Sequence, residues 1–354
     1  MKISALSKYA FINAKLRARI SKILPDDLLQ QIAKTSSLDE AFVLLRETNF
    51  ADLEKTYSGT GDLKQVELEL LKKQIEFYRD VRQYLDPSAG QLVDSLLIKY
   101  EIDNLKNAIR VYFNRNIHKS TDKTIVHYIL YETIIQKIPV DLIINAESFD
   151  EIAGHCAGTP YSRIIDQYSQ DVETNSSLFR MEIAFDHFYY QNLISSINKL
   201  DPKDCNITQR LISVEIDLKN ISWVIRLKDF YDLTLKEVLA AVIPGGLNLN
   251  KAAVEELYNA ENFPVALQTS IKYQYPTLSS LMSSQTSGST SRLLLIHQIL
   301  EEIRKEETQK ILAGYPFNIG IVLVYFILKD EEFRKIRKVL NAKHYGRTEE
   351  RLKA

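Results

Sequence analysis

Glycine and proline are scarce in this chain, and cysteine is almost absent. The 354 residues include 11 glycines, 9 prolines and 2 cysteines. So few turn-forming residues argue against an all-β protein, while the abundant Leu, Ile, Lys, Glu and Gln favour helices. The cysteines, Cys156 and Cys205, are too few for a disulfide scaffold, and their spacing is not that of a metal site. The composition predicts an all-α protein in a reducing compartment.

The chain also lacks an excess of charge of either sign and a long apolar run. It has 45 basic and 46 acidic residues and a formal net charge of -1, which argues against a broad nucleic-acid-binding surface. The most apolar stretch, Phe317 to Leu328, is about half as long as the roughly 20 residues that span a bilayer. Met1 to Lys22 lacks the apolar core of a signal peptide. We therefore expect a soluble protein, which can still sit against a membrane protein.

Sequence motifs for nucleotide hydrolysis are missing as well. Gly245-Gly246 and the segment from Gly154 to Gly158 lack the Gly-Lys-Ser/Thr ending of a phosphate loop. The six histidines are scattered, and none forms a His-Glu-x-x-His pair. We predict no catalytic residue, no cofactor and no metal site.

Two pairs of residues leave an alternative to that prediction. His155 beside Cys156 is the nearest approach to a catalytic or metal-binding pair, against a loop residue next to a buried thiol. Glu182 and Asp186 share a helix face, either as a catalytic pair or as carboxylates facing solvent or paired locally.

Aromatic and basic clusters also have two interpretations each. The first is a binding surface for nucleic acid, lipid or an acidic partner, and the second is a buried aromatic face or a solvated basic face. The second is favoured for most of them because charge is balanced. These clusters are Trp223 with Arg226 and Lys228; Phe185, Phe188, Tyr189 and Tyr190; Lys15, Arg17, Arg19 and Lys22; and the basic tail from Arg334 to Lys353.

One helical motif occurs more than once. The segment from Glu215 to Lys228 contains Glu-Ile-Asp-Leu-Lys-Asn, and the segment from Glu101 to Arg110 contains Glu-Ile-Asp-Asn-Leu-Lys-Asn. A fainter third copy runs from Glu332 to Arg337. Matching the Leu-Lys-Asn triplets leaves Glu-Ile-Asp one residue out of step. A chain built from one unit three times is usually a structural frame and less often a catalyst.

The other parts of the chain recur in the same order. Capping boxes are predicted at Ser37 to Glu40 and Ser148 to Glu151. In the third unit, Asn262 to Ala266 takes that place without the capping chemistry, and a mobile loop is predicted at Ser279 to Ser291. Long helices are predicted at Leu63 to Leu85, Met181 to Leu200 and Arg292 to Leu312, with Pro316 to Leu328 and a helix from Glu331 to Asn341 closing the last unit. The predicted repeat units are 1–118, 119–230 and 231–354.

Five segments, in this order, resemble the C subunit of archaeal and bacterial V/A-type rotary ATPases, whose eukaryotic relative is the d subunit of the vacuolar enzyme. They are Tyr9 to Arg19, Ala157 to Tyr161, Glu182 to Tyr190, Ile216 to Lys228, and Pro316 to Arg337. The resemblance covers the chain from end to end. The main departure is Lys335, which stands in the place of the family's Asn in the third motif copy.

This resemblance implies three similar helical domains in a pseudo-threefold funnel. It further implies a non-catalytic rotor part on the cytoplasmic face of the membrane, which receives the central shaft subunits D and F and sits on the proteolipid ring. No nucleic acid and no small-molecule substrate is implied. The alternative is a helical-repeat scaffold of an unrelated assembly.

Overall fold

The computed structural model describes residues 4–119, 128–247, 249–263, 265–267 and 289–345. Within these ranges every regular element is helical and there is no strand, so the all-α fold class is confirmed. The first nine helices are α1 (Ala5–Ile20), α2 (Asp26–Lys34), α3 (Leu38–Leu45), α4 (Ala51–Thr60), α5 (Leu63–Arg82), α6 (Pro87–Asn116), α7 (Val140–Asn145), α8 (Phe149–His155) and α9 (Ser162–Asn175). The others are α10 (Phe179–Ile197), α11 (Pro202–Asp229), α12 (Leu235–Ala241), α13 (Lys251–Asn259), α14 (Ser289–Ala313) and α15 (Gly320–His344).

The chain forms two compact units that are not contiguous in sequence. The first compact unit contains Met1–Asn13 and Ile197–Val324, and the second compact unit contains Ala14–Ser196 and Tyr325–Ala354. Helices α1 and α15 therefore contribute residues to both units, as does α10 by its last residue, Ile197.

The two predicted capping boxes begin α3 and α8 and have nearly the same geometry. Ser37 Oγ accepts from the Glu40 N–H at 3.2 Å, as predicted. The Glu40 carboxylate reaches one residue further back than expected and accepts from the Ser36 N–H at 2.8 Å. Ser148 and Glu151 repeat both hydrogen bonds, including the one to the residue before the N-cap. The same local chemistry thus starts the same element in both repeats.

A capping bond is also present where the sequence suggested none. Asn262 Oδ1 accepts from the Val265 N–H at 3.4 Å, so the prediction that this segment lacks its capping chemistry is wrong. The reason is that asparagine caps a helix about as well as serine does. Residues 279–288 of the predicted loop lie outside the described residues. The last residues of that prediction, 289–291, are already helical in α14. The basic tail beyond Tyr345 also lies outside the described residues.

Helix α15 is continuous where a break was expected between Leu328 and Glu331. The two polar residues at that point have partners inside the second unit, so the helix does not need to end there. Asp330 accepts from the Tyr78 hydroxyl at 2.9 Å, and Lys329 donates to Glu332 within the helix. No proline or glycine interrupts this stretch, which removes the usual cause of a helix end.

Helices α2, α3 and α4 share one apolar core with α5 and the end of α15. The aromatic contact at its centre joins Phe50 and Phe333, whose ring centroids lie 5.5 Å apart in an edge-to-face arrangement. Around it are the buried side chains Leu29, Ile32, Phe42, Leu45, Leu53, Val66, Leu70, Ile336 and Leu340. The first short helices of the chain are thereby packed on its last helix.

Candidate functional site

Each copy of the helical motif places one buried carboxylate against backbone N–H groups from elsewhere in the chain. These carboxylates are Glu101 on α6, Asp217 on α11 and Glu332 on α15, and their residues are only 3%, 6% and 2% exposed. A buried carboxylate must find donors for its oxygens, because burial without them costs several kcal/mol. In all three copies it finds them in a loop that leads towards a short helix.

Glu101 binds the segment that leads into α7. Its Oε2 accepts from the backbone N–H groups of Ile135 and Gln136 at 2.7 and 2.6 Å. Its Oε1 accepts from the Tyr161 hydroxyl at 2.6 Å. Burial and the neighbouring Glu101 charge raise the pKa of Tyr161 far above its usual range, so this hydroxyl stays a donor.

Asp217 binds the segment that leads into α13, in the first compact unit. Its two oxygens accept from the Leu247 and Leu249 N–H groups, both at 3.1 Å. Gly246 passes so close that a Cβ there would lie 2.0 Å from Asp217 Oδ1. Only glycine fits this approach of the backbone to the carboxylate.

Glu332 binds the segment that leads into α2, in the second compact unit. Its Oε1 accepts from the Leu24 N–H at 2.8 Å, one residue before Pro25. Its other oxygen pairs with Lys329 Nζ. The acid therefore makes the same kind of contact in all three copies, although the partner of its remaining oxygen differs.

The asparagine three residues after the acid makes a second repeated contact, but only twice. Asn104 exchanges two hydrogen bonds with the backbone of Leu130, both 2.8 Å long. Asn220 does the same with Ile243 at 2.9 Å. At the third position, Lys335 instead pairs with Asp26 in the first turn of α2 at 2.9 Å. The ion pair thus replaces the amide contact in the copy that lacks asparagine.

These contacts decide the register of the motif, which the sequence left open. The equivalent residues are acid-x-x-Asn, so Asn104 corresponds to Asn220, and the three acids are separated by 116 and 115 residues. The two Leu-Lys-Asn triplets are not equivalent, since Asn107 accepts from Arg110 instead of contacting a distant loop. The nearly equal spacing of the acids was the available signal.

A fourth buried carboxylate was missed in the sequence. Asp204 in the first turn of α11 accepts from the Tyr9 hydroxyl at 2.6 Å, from Lys8 Nζ at 3.2 Å and from the Ile319 N–H at 2.9 Å. Burial, followed by the hydrogen bond from Tyr9 to Asp204, raises the pKa of Tyr9 far above its usual range. Asp204 lies 195 residues from Tyr9 and 115 from Ile319, and no local pattern links positions so far apart.

The four carboxylates share one chemical property, which is that their oxygens are already engaged. Backbone N–H groups, tyrosine hydroxyls and lysines hold them, and bonds of this kind to an ionised group are the stronger class of hydrogen bond. Such groups are suited to fixing loops against helices and are poorly suited to accepting a proton from a substrate. In the described part of the chain, no group of three or more His, Cys, Asp or Glu side chains is arranged to hold a metal ion.

A known protein family matches nearly the whole chain. The family described as ATP synthase (C/AC39) subunit matches residues 12–354. The chain belongs to this family.

Archaeal relatives within the ATP synthase (C/AC39) subunit family match nearly the whole chain. A protein from Methanosphaera stadtmanae, named as the C subunit of an A-type ATP synthase, is 23% identical over 335 residues, which are 95% of this chain and 84% of the relative. Proteins of the same name from Methanococcoides burtonii and Methanocaldococcus jannaschii are 23% and 22% identical and cover 97% and 96% of this chain and 92% and 83% of the relatives. In this family member, no described helix combines the length and the apolar character needed to cross a membrane.

The first pair that left a catalytic alternative consists of His155 and Cys156 in this C/AC39 chain. His155 Nε2 lies 3.4 Å from Glu151 Oε1, one turn back on α8. Cys156 is fully buried, and burial raises the pKa of its thiol to about 12, which disfavours the thiolate that a nucleophile needs.

The second such pair lies on α10 of the C/AC39 chain. Glu182 accepts from Arg110 at 2.7 Å, and Asp186 accepts from Lys106 at 2.7 Å. Both cations come from the motif helix α6. The two carboxylates thus join α10 to α6 by ion pairs.

The aromatic clusters of this C/AC39 chain are mostly internal. Phe185, Tyr189 and Tyr190 are buried, while Phe188 is half-buried and lies edge-to-face against Tyr161 at 5.6 Å. Trp223 is half-buried under Lys219, whose Nζ lies 5.5 Å from the ring.

An open cleft of about 320 Å³ lies beside the third motif copy in the second unit. Its cations have carboxylate partners: Arg19 pairs with Asp80, and Lys73 pairs with Asp52 at 2.8 Å. The cleft therefore offers aromatic surface but little uncompensated charge for a small anionic ligand.

Proposed function

We propose that this chain is a non-catalytic central-stalk subunit of a V/A-type ATPase or ATP synthase. In this proposal it is the rotor socket that receives shaft subunits D and F and rests on the membrane proteolipid ring at the cytoplasmic face. It couples ATP chemistry to ion translocation by transmitting torque. The observation that carries the proposal is the match of residues 12–354 to the ATP synthase (C/AC39) subunit family, whose relatives are named as the C subunit of A-type ATP synthases.

The same proposal includes three similar helical domains at 1–118, 119–230 and 231–354, arranged as a funnel. Support comes from the motif helices, because Glu101, Asp217 and Glu332 fall at nearly equal spacing and make one kind of contact. A socket built from three similar units can present similar surfaces to the ring on which it rests.

Torque transmission requires that loops and helices move together. Surface loops are normally the most mobile parts of a fold. Here each repeated acid replaces that freedom with charge-assisted hydrogen bonds between a long helix and a loop. This is the physical reason for assigning the buried carboxylates to mechanical stiffness and not to catalysis.

Contacts with the neighbouring subunits follow from the surface residues. We assign apolar and small residues near the repeat junctions to the ring, and charged helix faces, including Arg334, Arg337 and Lys338 on α15, to the shaft. Arg337 is half-buried and Lys338 is exposed. We expect Arg337→Glu/Lys338→Glu to weaken assembly with the shaft subunits, while the exposed pair Lys199→Glu/Lys203→Glu serves as a matched control. Unchanged assembly of the first variant would remove these residues from the proposed interface.

The decisive experiment is a pull-down from detergent-solubilised membranes with the tagged full-length chain as bait and mass spectrometry as readout. We expect ATPase head subunits together with a small, very apolar proteolipid. Recovery of soluble partners alone, from cells that make both, would overturn the rotor proposal and favour the helical-repeat scaffold. A steeply salt-dependent affinity for nucleic acid would contradict both.

A further inference from the structure

Two turns in the second compact unit have the same hydrogen-bond geometry, but one ends in a phenylalanine and the other in a tyrosine. Thr48 Oγ1 donates to the Leu45 carbonyl at 2.6 Å and accepts from the Phe50 N–H at 3.1 Å. The second turn repeats this, with Thr159 Oγ1 donating to the Cys156 carbonyl at 2.7 Å and accepting from the Tyr161 N–H at 3.3 Å. Phe50 and Tyr161 are therefore equivalent positions, each just before the next helix and each 1% exposed.

The aromatic ring of each turn lies near the motif acid of a different repeat unit. Tyr161 donates its hydroxyl to Glu101 Oε1 at 2.6 Å. Phe50 has no hydroxyl to offer, although its ring packs against Phe333, the residue next to Glu332. Without another donor, one oxygen of the buried Glu332 would lack its hydrogen bond, which is costly in a site of 2% exposure.

Lys329 supplies that donor. Its Nζ lies 5.2 Å from the ring centroids of both Phe50 and Phe333 and pairs with Glu332, whose side chain is 1% exposed. The pairing uses Oε2 and leaves Oε1 for the Leu24 N–H. The position on α6 that corresponds to Lys329, three residues before the acid, is the half-buried Ile98.

We propose that Lys329 is a positioning residue that replaces the missing hydroxyl at Phe50. In one repeat a tyrosine completes the hydrogen bonds of the motif acid across the turn, and in the other a lysine does so from the acid's own helix. Both solutions bring their donor from the same side of the acid, since Lys329 Nζ lies 5.2 Å from the centroid of the Phe50 ring. The Phe50/Lys329 pair is therefore exchangeable for a Tyr/apolar pair, and this inference does not depend on the proposed function.

The test is a swap of the two solutions, read out by native-state hydrogen exchange at the Leu24 amide, which Glu332 holds directly. We expect Lys329→Met to speed Leu24 exchange about tenfold or more, since the acid loses a charged partner. The double variant Phe50→Tyr/Lys329→Met should return that rate to within about threefold of the starting protein, because the new hydroxyl restores a donor. The Ile135 and Gln136 amides, held by Glu101, are the internal control and should not change.

The reciprocal swap tests the same idea in the other repeat. Tyr161→Phe should speed exchange at Ile135 and Gln136, and Tyr161→Phe/Ile98→Lys should slow it again. If Lys329→Met does not fold, Tyr161→Phe and Tyr161→Phe/Ile98→Lys still test the proposal. Leu24 exchange that is unaffected by Lys329→Met, or exchange that neither double variant slows, would overturn the proposal.

Discussion

Asn220 and Ile243 exchange two hydrogen bonds, each 2.9 Å long, so that one amide side chain satisfies both backbone groups of a single distant residue. Asn220 is fully buried and Ile243 is 1% exposed, which leaves no room for water to replace either bond. Asn104 does the same for Leu130, which is 2% exposed. The motif helix thus acts as an anchor for a loop that local sequence cannot hold in place.

Replacing Asn220 with aspartate should separate the two bonds of this anchor. The carboxylate can still accept from the Ile243 N–H, but it faces the Ile243 carbonyl with a second acceptor where a donor stood. We expect Asn220→Asp to lower the free energy of unfolding by about 2–4 kcal/mol, from one unsatisfied carbonyl and one buried charge. Urea denaturation measures this value. The exposed Asn198→Asp is the matched control and should change it by less than about 0.5 kcal/mol.

Glu101 offers a graded test of the acid. Glu101→Gln keeps the size of the side chain, and its amide can accept from the backbone N–H groups with oxygen and donate to the Tyr161 oxygen with nitrogen. We expect a loss of about 1–2 kcal/mol for this variant and about 3 kcal/mol or more for Glu101→Ala, which leaves buried donors unpaired. The exposed Glu147→Gln serves as control for urea denaturation. Equal losses in the two Glu101 variants would contradict the hydrogen-bond explanation.

Local signals in the sequence predicted the elements of the fold but not the partners of the buried acids. The capping boxes at Ser37 and Ser148 were predictable because all of their atoms lie within four residues. The register of the motif was missed because an accidental Leu-Lys-Asn match was stronger than the spacing of Asn104 and Asn220. Helix periodicity tells which face is buried, but not which distant amide meets a carboxylate on that face.

Long-range partners were unpredictable for the same reason. The hydroxyl of Tyr9 and the carboxylate of Asp204 meet across 195 residues, and either residue alone reads as an ordinary polar position on a helix. The break expected in α15 fell at Lys329 and Asp330, and Asp330 meets its partner Tyr78 only when the second compact unit is folded.

Gly246 gives a steric test of the second acid. A methyl group at this position would lie 2.0 Å from Asp217 Oδ1, so Gly246→Ala must displace either the loop or a carboxylate that holds two backbone amides. We expect a loss of about 2 kcal/mol or more in the free energy of unfolding. Gly154→Ala is the control, because its Cβ would meet nothing within 4 Å and it lies in helix α8, where alanine is the better residue. A neutral Gly246→Ala would show that the loop yields without loss.

The helix caps give a prediction about the equivalence of two repeats. Ser37→Ala and Ser148→Ala each remove one acceptor from a helix N-terminus with nearly the same backbone angles. We expect each to lower the free energy of unfolding by about 1 kcal/mol. Ser169→Ala is the control, since the half-buried Ser169 is not at a helix N-terminus and donates to the Asp166 carbonyl within its own helix. Losses that differ by more than about 1 kcal/mol between the two caps would show that the repeats do not use them alike.

The buried thiol of Cys156 makes the free energy of unfolding depend on pH in the alkaline range. Its thiol is fully buried, and burial raises its pKa from 9.0 to about 12. The unfolded chain therefore loses this proton first as pH rises, so the contribution is complete below pH 9 and declines between pH 9 and 12. This thiol alone should lower the free energy of unfolding by about 1 kcal/mol at pH 10 relative to pH 8.

Urea denaturation at a series of pH values measures that slope. Cys156→Ala should reduce it between pH 8 and 10, whatever its effect on stability at pH 8, because the variant has no thiol to ionise at this position. Cys205→Ala keeps the buried thiol and should preserve the slope. Above pH 10 the decline should steepen in all three proteins, since burial also raises the pKa of Tyr9 and of Tyr161, whose hydroxyls must ionise in the unfolded chain before they do in the folded one. An equal slope in Cys156→Ala and in the starting protein would show that the tyrosines, and not this thiol, set the alkaline limit.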